Sequence, residues 1–257
     1  MRKMGKYLPP IAFAILSALS ITGCGKDETE AVEKELVVLC GSSFPNPMDE
    51  LCSQFTKETG IKFATTVAGS ESHLPIIKTA HKGDIFVTHD PYLDYVRDAN
   101  YLSDYVHVGY VSPVLAVQPG NPKEIGSIQD LTRPGITVAL SNPEFSTCGE
   151  MVFALLEKKG IKEAVIKNVE NRLLKGHPEL CNLLKTKTVD AIITWNGVAH
   201  TFRDSVEVVP TPYEYEEERR VHVMGLNYSK NPDLLRKFME FTKSKGKAVF
   251  AKYGYVK

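Results

Sequence analysis

The chain has 257 residues, with 31 Lys+Arg balanced by 31 Asp+Glu, 43% hydrophobic and 24% charged residues. This composition excludes a disordered or low-complexity chain, and the length allows one or two domains with a sizeable core. A formal charge of zero excludes a nucleic-acid face driven by bulk charge, and no apolar run reaches the ~20 residues of a membrane span.

Residues 1–23 read as an export signal. Arg2, Lys3 and Lys6 form a basic start, and Leu8 to Ile21 is an apolar stretch too short to span. Ile21-Thr22-Gly23 then leads into Cys24, the pattern of a bacterial lipoprotein cleavage site, with Cys24 as the lipidated residue. Removing 1–23 takes away three basic residues and no acid, leaving 28 basic against 31 acidic. Residues 24–35 are charged and aperiodic, a tether between membrane and domain. Cys40, Cys52, Cys148 and Cys181 remain. In an exported chain they permit disulfides, and buried thiols are an equal reading.

The mature chain alternates strand and helix. Glu35 to Cys40 is an apolar run typical of a buried parallel strand. A helix is expected from Pro47 with Asn46 as its cap, its apolar face carrying Met48, Leu51, Cys52 and Phe55, and Gly60 as its stop. Ile61 to Val67, a short helix Leu74 to Ala80, Asp84 to Thr88 and a helix near Tyr92–Asp98 complete a βαβαβ unit. Tyr110 to Gln118 reads as one strand crossing to a second α/β unit. That unit has a strand at Thr137 to Leu140, a helix Cys148 to Lys159, a helix Pro178 to Lys185 and a strand Val189 to Trp195. Arg220 to Tyr228 alternates like a strand, and a final helix to about Lys243 is followed by a short one near Lys247–Lys252. The fold class expected is α/β: two doubly wound α/β lobes with a ligand cleft between them. Lobe I takes 36–115 and 225–257, and lobe II takes 116–224.

In open α/β sheets ligands bind beyond the carboxyl ends of strands, at helix N-termini. Five such loops are Gly41-Ser42-Ser43, Ala68-Gly69-Ser70, Phe145 to Cys148, Gly176-His177-Pro178 and Thr194 to Gly197. In the third, Thr147 and Glu150 have capping-box spacing. Hydroxyls at helix starts are caps or anion donors, and three in one chain bring the two readings level. No GxSxG, HExxH or glycine-rich phosphate loop occurs. The seven histidines fit no metal-site spacing, and the charge run 212–220 with its two tyrosines reads as a solvated loop.

These stretches resemble the periplasmic molybdate-binding proteins of ABC importers, within the type II, two-lobed solute-binding proteins. The resemblance rests on Gly41-Ser42-Ser43 through Gly60, Ala68-Gly69-Ser70, Gly83 to Asp90, Val114 to Asn121, Ile128 to Ile136, Ser141 to Gly149, Val189 to Trp195 and Ala251 to Tyr255. It covers nearly all of 36–257. By position it implies ligand contacts at Ser43, Ser70, the backbone of Cys148 and Trp195. The next donor falls on Pro178, which has no N–H, so either Glu179 takes its place by a one-residue slip or the ligand is held with one bond fewer. It also implies no cofactor and no catalysis, a small inorganic anion as ligand (molybdate or tungstate foremost), an ABC permease as partner, a monomer anchored outside the cytoplasmic membrane at Cys24, and no nucleic acid. The alternative class is another small anion or a soft metal on the same fold, or an extracytoplasmic enzyme or metal-handling protein using Cys148 and His177. A site of N–H and O–H donors alone, with Glu71 as the nearest acid, is expected to select against hydrogen phosphate.

Overall fold

The structure, a computed structural model, describes residues 35–210 and 218–256. The export segment, Cys24, all of the tether but Glu35 and residues 212–217 of the charge run lie outside the described residues. In chain order the first part holds β1 (Glu35–Gly41), α1 (Pro45–Thr59), β2 (Lys62–Ala68), α2 (Ser70–Pro75), β3 (Ile85–His89), α3 (Tyr92–Asp98) and β4 (Leu102–Val111). After Ser112 come β5 (Pro113–Val117), β6 (Val138–Ser141), α4 (Thr147–Lys158), α5 (Lys162–Val169), β7 (Leu173–Leu174), α6 (His177–Lys185), β8 (Ala191–Trp195), α7 (Asn196–Thr201) and β9 (Glu207–Val208). The chain ends with β10 (Arg219–Leu226) and α8 (Pro232–Lys252).

The strands form two five-stranded sheets, ordered β2-β1-β3-β10-β4 and β7-β6-β8-β5-β9. Each has the same plan. β1 pairs in parallel with β2 and β3, as β6 does with β7 and β8. Beside the third parallel strand runs an antiparallel one, β10 in the first sheet and β5 in the second. Each of these two strands enters its sheet just after the chain has crossed between sheets. The expected strand Tyr110–Gln118 is therefore two strands, broken at Ser112. The expected lobe boundary at 224/225 falls inside β10, which pairs with β3 and β4 from Arg219 to Leu226, so the chain has returned to the first sheet before Arg219.

Helix registers differ from expectation in instructive ways. α1 begins at Pro45, with buried Phe44 before it and Asn46 exposed. Pro45 and Pro47 both suit a first turn because neither N–H there has a helical partner. Its buried face is Met48, Leu51, Cys52 and Phe55, as the spacing dictates. The Leu74–Ala80 helix is instead α2 running on through Pro75 into one π turn, Ile76–Ala80. The two C-terminal helices are one. Gly246 lies buried in the middle of α8, where a Cβ would meet Val108 of β4 at 2.8 Å, so the glycine permits close approach and does not end the helix. α4 is capped by Ser146, whose Oγ accepts from Gly149 N, and not by Thr147.

The C-terminal tail ties the crossing together. Asn196 N donates to Ser112 O and its side chain accepts from Ser112 N, while its amide donates to Gly254 O. Tyr110 N donates to Tyr255 O. The buried Tyr255 ring lies over Gly197, where a Cβ would sit 2.3 Å from it, and its hydroxyl donates to Ser43 O. One tail residue thus fixes the Ser43 loop of the first sheet and α7 of the second. The four described cysteines are free and buried. Burial pushes the Cys52 and Cys181 thiols up to about 12, and those of Cys40 and Cys148 higher still. All four are therefore protonated and unreactive at neutral pH.

Candidate functional site

The three parallel strands of each sheet end on the same cavity, and the helix after each end begins in its wall. From the first sheet come Ser42, Ser43 and Phe44 before α1, Gly69, Ser70 and Glu71 at the start of α2, and His89 and Tyr92 between β3 and α3. From the second come Phe145, Ser146 and Thr147 at the start of α4, Lys175 and His177 at α6, and Trp195 before α7. The cavity holds about 30 Å³, against roughly 10–15 Å³ for one water. It suits a ligand of a few heavy atoms.

Six helix N-termini give this space a positive potential and backbone donors. They are unequal. Proline at 45, 47 and 178 removes N–H groups from α1 and α6. In α4, Gly149 N is taken by Ser146 Oγ and Glu150 N by Ser146 O, whereas helix geometry gives the N–H groups of Thr147 and Cys148 no acceptor within the helix.

Of the residues expected to bind ligand, Ser43, Ser70 and Trp195 line the cavity. Ser70 is buried, with its hydroxyl 2.5 Å from that of Thr88. Cys148 and Glu179 are not among the lining residues. The Cys148 side chain is buried on the core face of α4 with Met151, Val152 and Leu155, so only its backbone is placed to serve. Glu179 is exposed, and its carboxylate folds back over Gly176.

Trp195, buried, stands between two buried imidazoles, its ring centroid 5.3 Å from that of His89 and 5.6 Å from that of His177. Burial lowers His89 to about 4 and His177 to about 3, so both are neutral at pH 7. His177 Nδ1 lies 3.1 Å from Thr194 Oγ1 and 3.4 Å from Ser141 Oγ, and its Nε2 lies 3.4 Å from Ser146 Oγ. His89 differs. Its Nδ1 is 2.7 Å from the Asp90 carbonyl oxygen. A carbonyl only accepts, so Nδ1 carries the proton and Nε2 presents a lone pair. The expected cleft without an acceptor is thereby overturned, because His89 and Glu71 both line the cavity, and the ground for excluding hydrogen phosphate goes with it.

Tyr92 lines the cavity together with Thr147 of the other wall, and burial raises its hydroxyl to about 12, so the phenol keeps its proton at neutral pH. Lys175 is the one cation among the described lining residues. It is exposed, with Nζ 3.9 Å from the Phe145 ring centroid. None of the five loops expected from the sequence lies at the end of β3, although Thr88-His89-Asp90 there follows the same strand-end rule. Cys148 and His177 do not share the cavity, and no cluster of three metal-ligating side chains occurs among the described residues.

A family model for bacterial extracellular solute-binding proteins matches residues 36–256, and the chain belongs to that family. The molybdate-binding protein ModA of Mycobacterium tuberculosis is 22% identical over 267 residues, covering 96% of this chain and 98% of that one. Among solved structures, the periplasmic molybdate-binding protein of Azotobacter vinelandii superposes with a TM-score of 0.72 at 17% identity, covering 86% and 99%. The sulfate-binding protein SubI of Mycobacterium tuberculosis superposes at 0.70 and 16% identity, covering 86% of each. The fold is that of the type II periplasmic binding proteins. The chain is an extracytoplasmic solute-binding protein of the ABC-importer type, which works with a permease and is not an enzyme. No helix among the described residues is long and apolar enough to cross a membrane.

Proposed function

We propose that the chain captures a small tetrahedral oxyanion, molybdate or tungstate foremost, and presents it to its permease. The observation that carries this reading is the cavity itself: about 30 Å³, ringed by six helix N-termini and by hydroxyls from both sheets. Hydroxyls and backbone N–H groups hold an anion without a buried cation. The relatives named above, one for molybdate in sequence and one each for molybdate and sulfate in fold, support the same ligand class. We read Ser43, Ser70 and Trp195 as side-chain donors, with Thr147 and the Cys148 backbone opposite. Residues 36–112 and 219–256 form one lobe and 113–210 the other, closing about the crossing at Ser112. Cys24 carries the lipid that holds the mature chain at the membrane, and the domain acts as a monomer.

Calorimetry and thermal melting with molybdate, tungstate, sulfate and phosphate test the ligand. One-to-one binding is expected, with a rise in stability of about 2.7 kcal/mol at one hundred times Kd. Binding of divalent metals and of none of the four anions would refute the reading. Cys24→Ala is expected to block lipidation and leave the chain unprocessed or soluble. Undiminished partition with membranes would remove the anchor.

A further inference from the structure

We infer that the cavity takes up one proton with each anion it captures, and that this proton sits between His89 Nε2 and an anion oxygen. The inference rests on the oxyanion reading above and adds a residue that sets specificity.

The geometry comes first. His89 ends β3 and its ring lines the cavity, packed against Phe44, Tyr92 and Trp195. The Asp90 carbonyl fixes the proton on Nδ1, so the other nitrogen offers only a lone pair. Among the described residues no group hydrogen-bonds to that Nε2. A fully ionised oxyanion offers only lone pairs as well. The two repel unless a proton lies between them. Molybdate or sulfate brings none, so solvent supplies it to the imidazole. Hydrogen phosphate brings its own.

The neighbouring charges allow the change. In the empty cavity burial keeps His89 neutral, and Arg219 and His222 on β10 act in the same direction. The Asp90 carboxylate and the bond to its carbonyl oppose them. Glu71 from α2 lines the same space, as do Tyr92 from α3 and Lys175 and His177 at α6. Of these Glu71 favours the imidazolium and Lys175 disfavours it, while His177 is itself held neutral by burial and by His89. At the effective dielectric of a protein interior, one negative charge about 4 Å away raises an imidazole's proton affinity roughly a thousandfold. A dianion in contact outweighs the burial. His177 is the poorer site, because both its nitrogens already face hydroxyls.

The test is calorimetry of the whole mature protein with molybdate and with sulfate at pH 7, in two buffers of different ionisation enthalpy. The buffer dependence of the heat counts protons. Close to one is expected for the wild type and for His177→Gln, and close to none for His89→Gln, whose amide can donate to the anion directly. Between pH 6 and 8 the wild-type Kd should weaken by close to tenfold per pH unit, and that of His89→Gln should stay flat. Hydrogen phosphate should bind with less uptake than sulfate. Measurable binding with buffer-independent heat overturns the inference and leaves the oxyanion reading standing. No binding of any anion overturns both. Uptake lost in His177→Gln and kept in His89→Gln assigns the proton elsewhere and also overturns it. Should His89→Gln fail to fold, ring-nitrogen NMR of the wild type decides: sulfate must convert His89 Nε2 to the protonated form, and an unchanged signal in the bound state refutes the claim.

Discussion

The two walls of the cavity hold the same kind of residue in different states. Each contributes a buried neutral histidine against Trp195. On the second-sheet wall, His177 has hydroxyl partners at both nitrogens, and one of them, Ser146, also caps α4. On the first-sheet wall, His89 is bound only at Nδ1, and Ser42 and Ser43 precede a helix whose prolines supply no N–H. Equal burial therefore does not mean equal role. The first wall's histidine keeps one nitrogen for a ligand, and the second wall's uses both of its own to hold the shape of the site.

The largest effect should come from breaking the second wall. His177→Ala removes a buried ring and leaves the Thr194 hydroxyl in the core without its partner. Truncating a large buried ring destabilises by about 3–5 kcal/mol, and chemical denaturation of the anion-free protein should show a loss near that figure. A loss below about 1 kcal/mol would mean that His177 is not a structural post, and the contrast between the walls would fail.

Acid sharpens the contrast next. Both histidines have folded values below the ordinary 6.5, about 4 for His89 and about 3 for His177. For groups lowered on folding, the unfolded chain binds protons first. Their contribution is fully present above pH 6.5 and is lost as pH falls toward 4 and 3. Each contributes a slope of at most about 1.4 kcal/mol per pH unit, so pH 5 should cost roughly 2 kcal/mol per histidine relative to pH 7.5. His177→Gln should remove its own share of the slope in the anion-free protein, to which His73, His107 and His222, also lowered by burial, add theirs. Saturating sulfate should flatten the part that belongs to His89. Melting curves from pH 4.5 to 7.5 give both numbers, and an unchanged slope in the presence of bound anion would place His89 away from the ligand.

The serines of the first wall come third. A hydrogen bond to a charged ligand contributes about 1.5–3 kcal/mol, so Ser43→Ala and Ser70→Ala should each weaken anion binding tenfold or more. Their effects on the anion-free protein should differ. Ser43 lies in a turn, and its removal should leave the melting temperature in place. Ser70→Ala deprives the buried Thr88 hydroxyl of its partner and should lower stability by about 1 kcal/mol. Calorimetric affinities that match the wild type in both variants would remove these hydroxyls from the site.

What the sequence made legible follows from where periodic signals exist. The parallel strands are continuous apolar runs, and the loops at their ends include those that carry Ser43, Ser70 and Trp195, while the choice of these residues within the loops rests on the family resemblance. β7 and β9 are two residues each and carry no pattern. α5 buries only Val165 and Val169, too few to mark a face. His89 was within reach of the strand-end rule. Tyr92 and Lys175 were not, because which first-turn side chains meet the cavity depends on the angle at which each helix leaves its strand. The core face of Cys148 was legible too. Cys148, Met151, Val152 and Leu155 are spaced as one helical stripe, which points the thiol away from the ligand.

The smallest effect probes the one charge the second wall contributes. Lys175 is exposed and its ammonium rests over Phe145 at the rim. There it raises the local concentration of anions more than it holds one, and such a charge acts on the association rate. An exposed charge is worth about 0.2–1 kcal/mol, so Lys175→Gln should slow association by no more than about fivefold at low salt. The Debye length falls from roughly 30 Å at 0.01 M to 3 Å at 1 M, so wild type and variant should converge as salt rises. Dissociation should be unaffected. Stopped-flow measurement with molybdate at several ionic strengths separates these terms. A tenfold rise in the dissociation rate that persists at 1 M salt would mean that Lys175 leaves Phe145 and pairs with the anion inside the closed cavity. The ammonium would then join Trp195 and the start of α4 as a ligand contact, and Lys175 would be part of the site and not a steering charge at its rim.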